Sequence, residues 1–292
     1  MNWSRRQKWI GYLFIAPNML GITLFFLIPA VFSLVLVFTD YRFASAEINF
    51  VGLDNFRRLF SDELFYVSIR NTAIFLASVP VSILLAFAVA VVLNRSVYLK
   101  GLLRAMYFMP YITSGVAVAF VWALLFQPRN GPINAALRAL GIDHPPGWLS
   151  SVETSMYAID IIWIWLMLGY NMIIYLAALQ EISPDLKEAA SIDGANRLQI
   201  VRHVIWPLVS PTTFLLLTTG LIMTIKTFGI IQAITQGGPG NSTTVLALFV
   251  YQSAFSYYEM GYASAVSWAL FAIILLITLA QWTLQKKWVH YG

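Results

Sequence analysis

The sequence predicts an all-α, polytopic membrane fold, and three observations carry that reading. First, 59% of the 292 residues are hydrophobic and only 11% are charged, with a mean hydropathy of +0.74. A water-soluble core of this size cannot bury that much apolar surface, so lipid is the expected solvent. Second, the apolar residues gather into segments long enough to cross a hydrocarbon layer about 30 Å thick, which takes roughly 20 helical residues. Third, basic residues concentrate on alternate connecting segments, as they do where positive charge sets orientation.

Six segments meet the length requirement, running approximately over residues 10–38, 72–93, 105–126, 154–179, 208–233 and 262–284. The first follows Ser4-Arg5-Arg6-Gln7-Lys8, a start like that of a secretory leader. Its apolar stretch outruns the roughly 7 to 15 residues of a leader core, and no small-x-small site closes it before Asp40. It is therefore expected to be a retained anchor, bent at Pro17 and Pro29.

With the N-terminus inside, the cytoplasmic segments hold Arg5, Arg6 and Lys8, then Arg95, Lys100 and Arg104, then Lys187, Arg197 and Arg202, then Lys286 and Lys287. The outer segments hold Arg42, Arg57, Arg58, Arg70, Arg129 and Arg138, and most acidic residues. Both termini are then expected in the cytoplasm. The net charge of +5 is explained by orientation, and no nucleic-acid partner is expected. The chain has no cysteine, and His144, His203 and His290 lie too far apart for a ligand spacing, so no metal site is expected. Asp160 and Lys226 are the ionisable residues placed well inside spans; the expectation is that they pair, or that Lys226 lines a cavity beside Thr227.

The loop over about 180–207 is too polar to span and too patterned for a tether. Ser183 suits an N-cap, Pro184 the first helical position and Asp185 the first turn, so a helix is predicted from Pro184 to about Ile192. Gly194 permits the positive φ that ends it, and Pro207 is expected to start the next span. Ala189 and Ala190 let a foreign backbone approach closely, while Asp185 and Glu188 offer charge. An interfacial helix on lipid would instead show large apolar residues opposite a basic face. Docking to a protein is the reading that the residues favour.

Glu188-Ala189-Ala190, followed by Asp193-Gly194 and by Ile205-Trp206-Pro207, resembles the EAA loop of ABC importer permeases. Phe50-Val-Gly-Leu-Asp-Asn-Phe-Arg57, Asn71-Thr72 and Gly237-Gly-Pro-Gly240 resemble the carbohydrate-uptake branch, in particular the maltose-type first permease subunit. The resemblance covers nearly the whole chain and implies a type I ABC importer permease fold in one permease domain over 1–292. It departs from the maltose-type subunit in showing neither extra N-terminal helices nor a large outer domain, so the shorter six-span version is expected.

The resemblance further implies that Glu188, Ala189, Ala190, Asp193 and Gly194 couple to an ATPase. It places Trp165, Leu166, Met167, Tyr170, Gly220, Met223, Thr224 and Thr227 on the substrate path. The implied partners are a second homologous permease, two ATPase subunits, an extracytoplasmic solute-binding protein and the lipid bilayer, in a prokaryotic cytoplasmic membrane. No lysine stands in a Gly-x-x-x-x-Gly-Lys-Ser/Thr loop, so this chain is expected to be non-catalytic and to bind no cofactor, with ATP and Mg on the partner. Gly237-Gly-Pro-Gly240 reads as a turn. Independently of the resemblance, sugars are gripped by aromatic faces and hydroxyls, which the fourth and fifth segments supply. The competing classes are an ion-coupled secondary carrier, which needs carboxylates at helix breaks and two similar halves, and a membrane scaffold without transport.

Overall fold

The computed structural model describes residues 5–43, 47–94 and 98–290; Ser4 of the leader-like start and Arg95 of the charge pattern lie outside them. The regular elements among the described residues are helices, joined by turns and loops, with an isolated bridge between Thr39 and Phe50. Four helices are long and apolar enough to cross a membrane: α1 (Gln7–Leu36), α3 (Glu63–Leu93), α7 (Ser155–Glu181) and α13 (Met260–Gln285). Two bent pairs bring the number of possible spans to 6: α4 (Lys100–Ile112) with α5 (Gly115–Leu125), and α9 (Arg197–Leu208) with α10 (Ser210–Lys226). Shorter helices are α2 (Asp54–Ser61), α6 (Pro132–Ala139), α8 (Pro184–Ile192), α11 (Gly229–Ile234) and α12 (Leu246–Ser256).

The chain divides into two compact units. The first comprises residues 1–62 and 250–269. Its α1 buries none of its apolar window, a surface that only lipid or another chain can cover. A π-turn over Thr23–Leu27 precedes Pro29. Pro29 cannot donate to the Phe25 carbonyl and crowds it, and the wider turn absorbs the mismatch without breaking the helix. After α1, Asn55 donates to the carbonyls of Val37 at 2.6 Å and Thr39 at 2.9 Å, stapling α2 to the end of α1. Glu259 accepts from Arg42 at 2.9 Å and Arg58 at 2.6 Å, and Arg58 lies 4.0 Å over the Tyr262 ring.

The second unit comprises residues 63–249 and 270–292. Its core is the pairing of α3 with α7. Ser82, Ala86 and Ala90 recur every four residues on α3 and are buried, so the two backbones come close. Around that seam pack Phe87, Met172, Tyr175, Leu176 and Leu179. Polar groups within it are satisfied: Asn171 donates to Ser82 at 3.2 Å, and the Tyr175 hydroxyl donates to Thr213 at 2.9 Å.

Three elements differ from the sequence expectation. The second span begins near Glu63 rather than Thr72, because the polar residues Ser68, Asn71 and Thr72 are buried against protein. Asn71 donates to the carbonyls of Asn241 at 2.9 Å and Thr244 at 3.0 Å, and the Leu246 N–H donates to Thr72 at 2.9 Å. The third segment turns by 100° between α4 and α5. Pro110 removes a helix donor, and Thr113 and Ser114 take extended ψ values of 148° and 125°. The fifth bends by 65° at Val209. Pro211, in the first turn of α10, marks the start of that helix, whereas Pro207 belongs to the end of α9.

Candidate functional site

The loop over about 180–207 folds as its residues require. The Ser183 hydroxyl accepts from the Asp185 N–H at 3.3 Å, capping α8. At the other end, Gly194 has φ +82°. The Gly194 N–H donates to Ser191 at 3.1 Å and the Ala195 N–H to Ala190 at 3.0 Å, which closes the helix with a Schellman motif. Asn196 and Gln199 then cap α9 reciprocally, at 2.7 and 2.9 Å. Successive capping bonds thus define the corner from Asp193 to Asn196.

Glu188, Ala189, Asp193 and Gly194 are exposed, and Ala190 is half-buried. Ala190, Asp193 and Gly194 line a shallow depression of about 350 Å³ between α8 and α9. Leu186, Ile192 and Leu198 were not singled out from the sequence, yet they are 48%, 86% and 75% exposed. Leu186, Ala189 and Ile192 are spaced three apart, a signal the sequence contained: an apolar stripe on an otherwise polar loop helix.

The second cluster lies where the α4–α5 pair breaks and where α10 ends. Tyr111, Thr113 and Gly115 from the α4–α5 corner, Trp163, Leu166 and Met167 from α7, Lys226 at the end of α10 and Thr227 to Ile230 after it line a cavity of about 370 Å³. α10 ends because Thr227 turns to an extended ψ of 125°, while its hydroxyl donates back to Met223 at 2.7 Å. The Trp163 indole N–H donates to Thr224 at 2.8 Å, which fixes the ring. Tyr170 stacks on Tyr111 at 4.8 Å between centroids.

Of the eight residues expected on the path, Leu166, Met167 and Thr227 line this cavity. Thr224 and Tyr170 hold lining side chains in place. Trp165 meets the edge of Trp122 at 5.6 Å and is 40% exposed. Gly220 faces Val79, whose Cγ1 would lie 3.0 Å from an added Cβ, so its place is in helix packing. Met223 is half-buried and reaches the site through its carbonyl, which accepts from Thr227. Tyr111 and Thr113 were missed because the sequence does not reveal that the third segment breaks beside them.

Of the two alternatives for Asp160 and Lys226, no pairing is found among the described residues, and Lys226 lies at the cavity beside Thr227. Asp160 is buried in α7 with Oδ1 lacking a hydrogen-bond partner, while Lys226 is exposed at the cavity. Among the described residues no cluster of acidic residues and histidines could hold a metal ion. Gly237-Gly-Pro-Gly240 forms the expected turn, with Gly237 at φ +95° and Gly240 at φ +55°.

Residues 78–288 match the family described as binding-protein-dependent transport system inner membrane component. The chain is 36% identical to the probable ABC transporter permease protein YesP of Bacillus subtilis (strain 168), covering 98% of this chain and 94% of that one. It is 34% identical to the probable starch degradation products transport system permease protein AmyD of Thermoanaerobacterium thermosulfurigenes, covering 94% of each. Its fold is similar to a chain of the bacterial alginate ABC transporter solved in complex with alginate pentasaccharide-bound periplasmic protein. That match has a TM-score of 0.80 at 23% identity and covers 98% and 97% of the two chains. With helices breaking around a cavity and this likeness running along its whole length, the protein belongs to the binding-protein-dependent transport system inner membrane components, as an ABC transporter permease.

Proposed function

We propose that this permease, acting as one domain over 1–292, forms half of the path by which an ATP-driven importer moves a sugar or oligosaccharide across a prokaryotic cytoplasmic membrane. The observation that carries the reading is the cavity at the helix breaks. Freed backbone at membrane depth is tolerated where it lines a water-filled site. Aromatic rings and the Thr113 and Thr227 hydroxyls line it, the groups that hold a sugar ring. The starch-product permease among the relatives supports the solute class. The family's dependence on a binding protein supports an extracytoplasmic donor of solute.

A second homologous permease completes the path, and two separate ATPase subunits carry ATP and Mg; this chain holds neither. Glu188, Ala189, Ala190, Asp193 and Gly194 couple to the ATPase, with Leu186 and Ile192 as apolar contacts beside the small Ala189. Nucleotide-driven closure of the ATPases moves α8, and the bent pair α9–α10 carries that motion to the cavity. Both termini lie in the cytoplasm. The ion-coupled carrier reading lacks a carboxylate at a break, since Asp160 sits within the unbroken α7.

Because the chain has no cysteine, Ala189→Cys and Ala190→Cys each provide a single thiol. In the assembled transporter these thiols should crosslink to a nucleotide-hydrolysing subunit, and uptake in vesicles should require ATP. Absence of any such crosslink, with uptake that collapses on adding an ionophore, would reject the reading.

A further inference from the structure

Lys226 is the cavity residue that a neutral-sugar path leaves unused. It sits in the last turn of α10, where the helix carbonyls favour a cation. Its side chain is exposed, and it makes no ion pair or hydrogen bond among the described residues. A lysine within a spanning segment is retained where it faces water, a partner or a ligand, because lipid exposure is expensive. Among the described residues no carboxylate lines the cavity to neutralise it. Asp160, which lies well inside a span, is buried elsewhere in α7.

The groups around Lys226 define what it would meet. The Trp163 N–H is already engaged by Thr224, so that residue can offer a ligand its ring rather than its donor. Tyr111, Trp163 and Phe228 supply aromatic surface. Thr113 and Thr227 donate their hydroxyl protons to the Met109 and Met223 carbonyls, at 2.8 and 2.7 Å, and so offer a ligand acceptor oxygens. A free ammonium among aromatic faces and accepting hydroxyl oxygens suits a saccharide that carries both hydroxyl donors and an anionic group. Resting on the sugar-importer reading, we propose that this cavity selects acidic saccharides, with Lys226 taking the carboxylate or phosphate and the aromatic walls taking the ring.

The test is competitive uptake by the complete transporter, with its binding protein, in proteoliposomes. The probe is a mixed pool of neutral oligosaccharides, uronic-acid oligosaccharides and sugar phosphates, and the contents of the lumen are quantified by mass spectrometry. Wild type should accumulate acidic members over neutral ones. Lys226→Gln should lower the acidic-to-neutral ratio about ten-fold, the effect of one charged hydrogen bond. Lys226→Arg should largely keep the ratio, and both variants should co-purify as intact complexes. The separate tallies of uronides and phosphates tell which anion is carried. Preferential uptake of neutral sugars, or an unchanged ratio in Lys226→Gln, would overturn this inference and leave the importer standing. No ATP-dependent accumulation of any pool member would strike the importer reading itself and this inference with it.

Discussion

Gly169 is the point where the structure makes its sharpest quantitative demand. It lies on α7 between the cavity residues Met167 and Tyr170, buried under the backbone of α4. A Cβ built there would run into the Tyr107 carbonyl oxygen. It would also lie 2.5 Å from the Tyr107 carbonyl carbon and 2.8 Å from the Phe108 Cα, where ordinary contact begins at 3.4 Å. All three atoms are backbone, so no rotamer change relieves the overlap, and α4 must retreat by about 1 Å. Overpacking of that kind costs about 1–3 kcal/mol. Alanine regains about 0.5–1 kcal/mol as the better helix former, and because the overlap is with backbone the cost lies at the upper end, leaving Gly169→Ala about 2 kcal/mol less stable. In a thermal-shift assay of the purified transporter, the melting temperature should fall by a few degrees. ATP-driven uptake should fall as well, because the retreat draws Tyr111 away from Tyr170. Gly101→Ala, on the same α4 but with nothing within 4 Å of the new Cβ, is the control and should be neutral or slightly stabilising. If Gly169→Ala melts no lower than Gly101→Ala, the close approach of α4 to α7 is not present in the folded protein.

At Gly194, where an added Cβ meets nothing within 4 Å, the penalty is conformational alone. Gly194→Val should therefore lower the ratio of solute imported to ATP hydrolysed in the reconstituted transporter, and Gly194→Asn, which tolerates positive φ, should lower it less. Trp163→Phe and Thr224→Val each remove one partner of a buried 2.8 Å bond and should each cost about 1–3 kcal/mol. A double-mutant cycle by chemical denaturation should return coupling of roughly 1 kcal/mol, and purely additive losses would contradict the bond. Asp40 accepts from the backbone and side-chain nitrogens of Asn49, which hold its carboxyl below the ordinary carboxylate range. A carboxylate lowered in the folded state contributes order above its unfolded pKa and loses it as pH falls through the folded value. Proteolysis near residues 40–49 should therefore rise below about pH 4 in the wild type, whereas Asp40→Asn should lack that rise. A rise of equal size in both proteins would count against it.

The long helices were legible because lipid imposes length and composition together. Residues 154–179 were expected and Ser155–Glu181 is found; 262–284 were expected and Met260–Gln285 is found. The loop helix from Pro184 to Ile192 was legible down to its caps, since Ser183, Pro184 and Gly194 each act on backbone within a few residues. The corner between α4 and α5 was not, because an apolar run containing Pro110 fits a kinked span as well as a broken one. Ser68, Asn71 and Thr72 read as the margin of a span until their partners around Asn241 and Leu246 are known.

By itself, then, the sequence determined that this chain lives in lipid, which stretches can span, and where a capped helix with small side chains interrupts them. Hydropathy, proline and glycine act locally, and a linear reading captures local forces. Tertiary structure alone decided that the breaks in α4–α5 and after α10 meet α7 around one cavity. It likewise decided that Lys226 stands there unpaired among the described residues while Asp160 is buried elsewhere, and that Gly220 packs against Val79 while Thr227 lines the cavity. Which residues share a space depends on how helices far apart in the chain pack together, and no spacing along one strand of sequence encodes that distance.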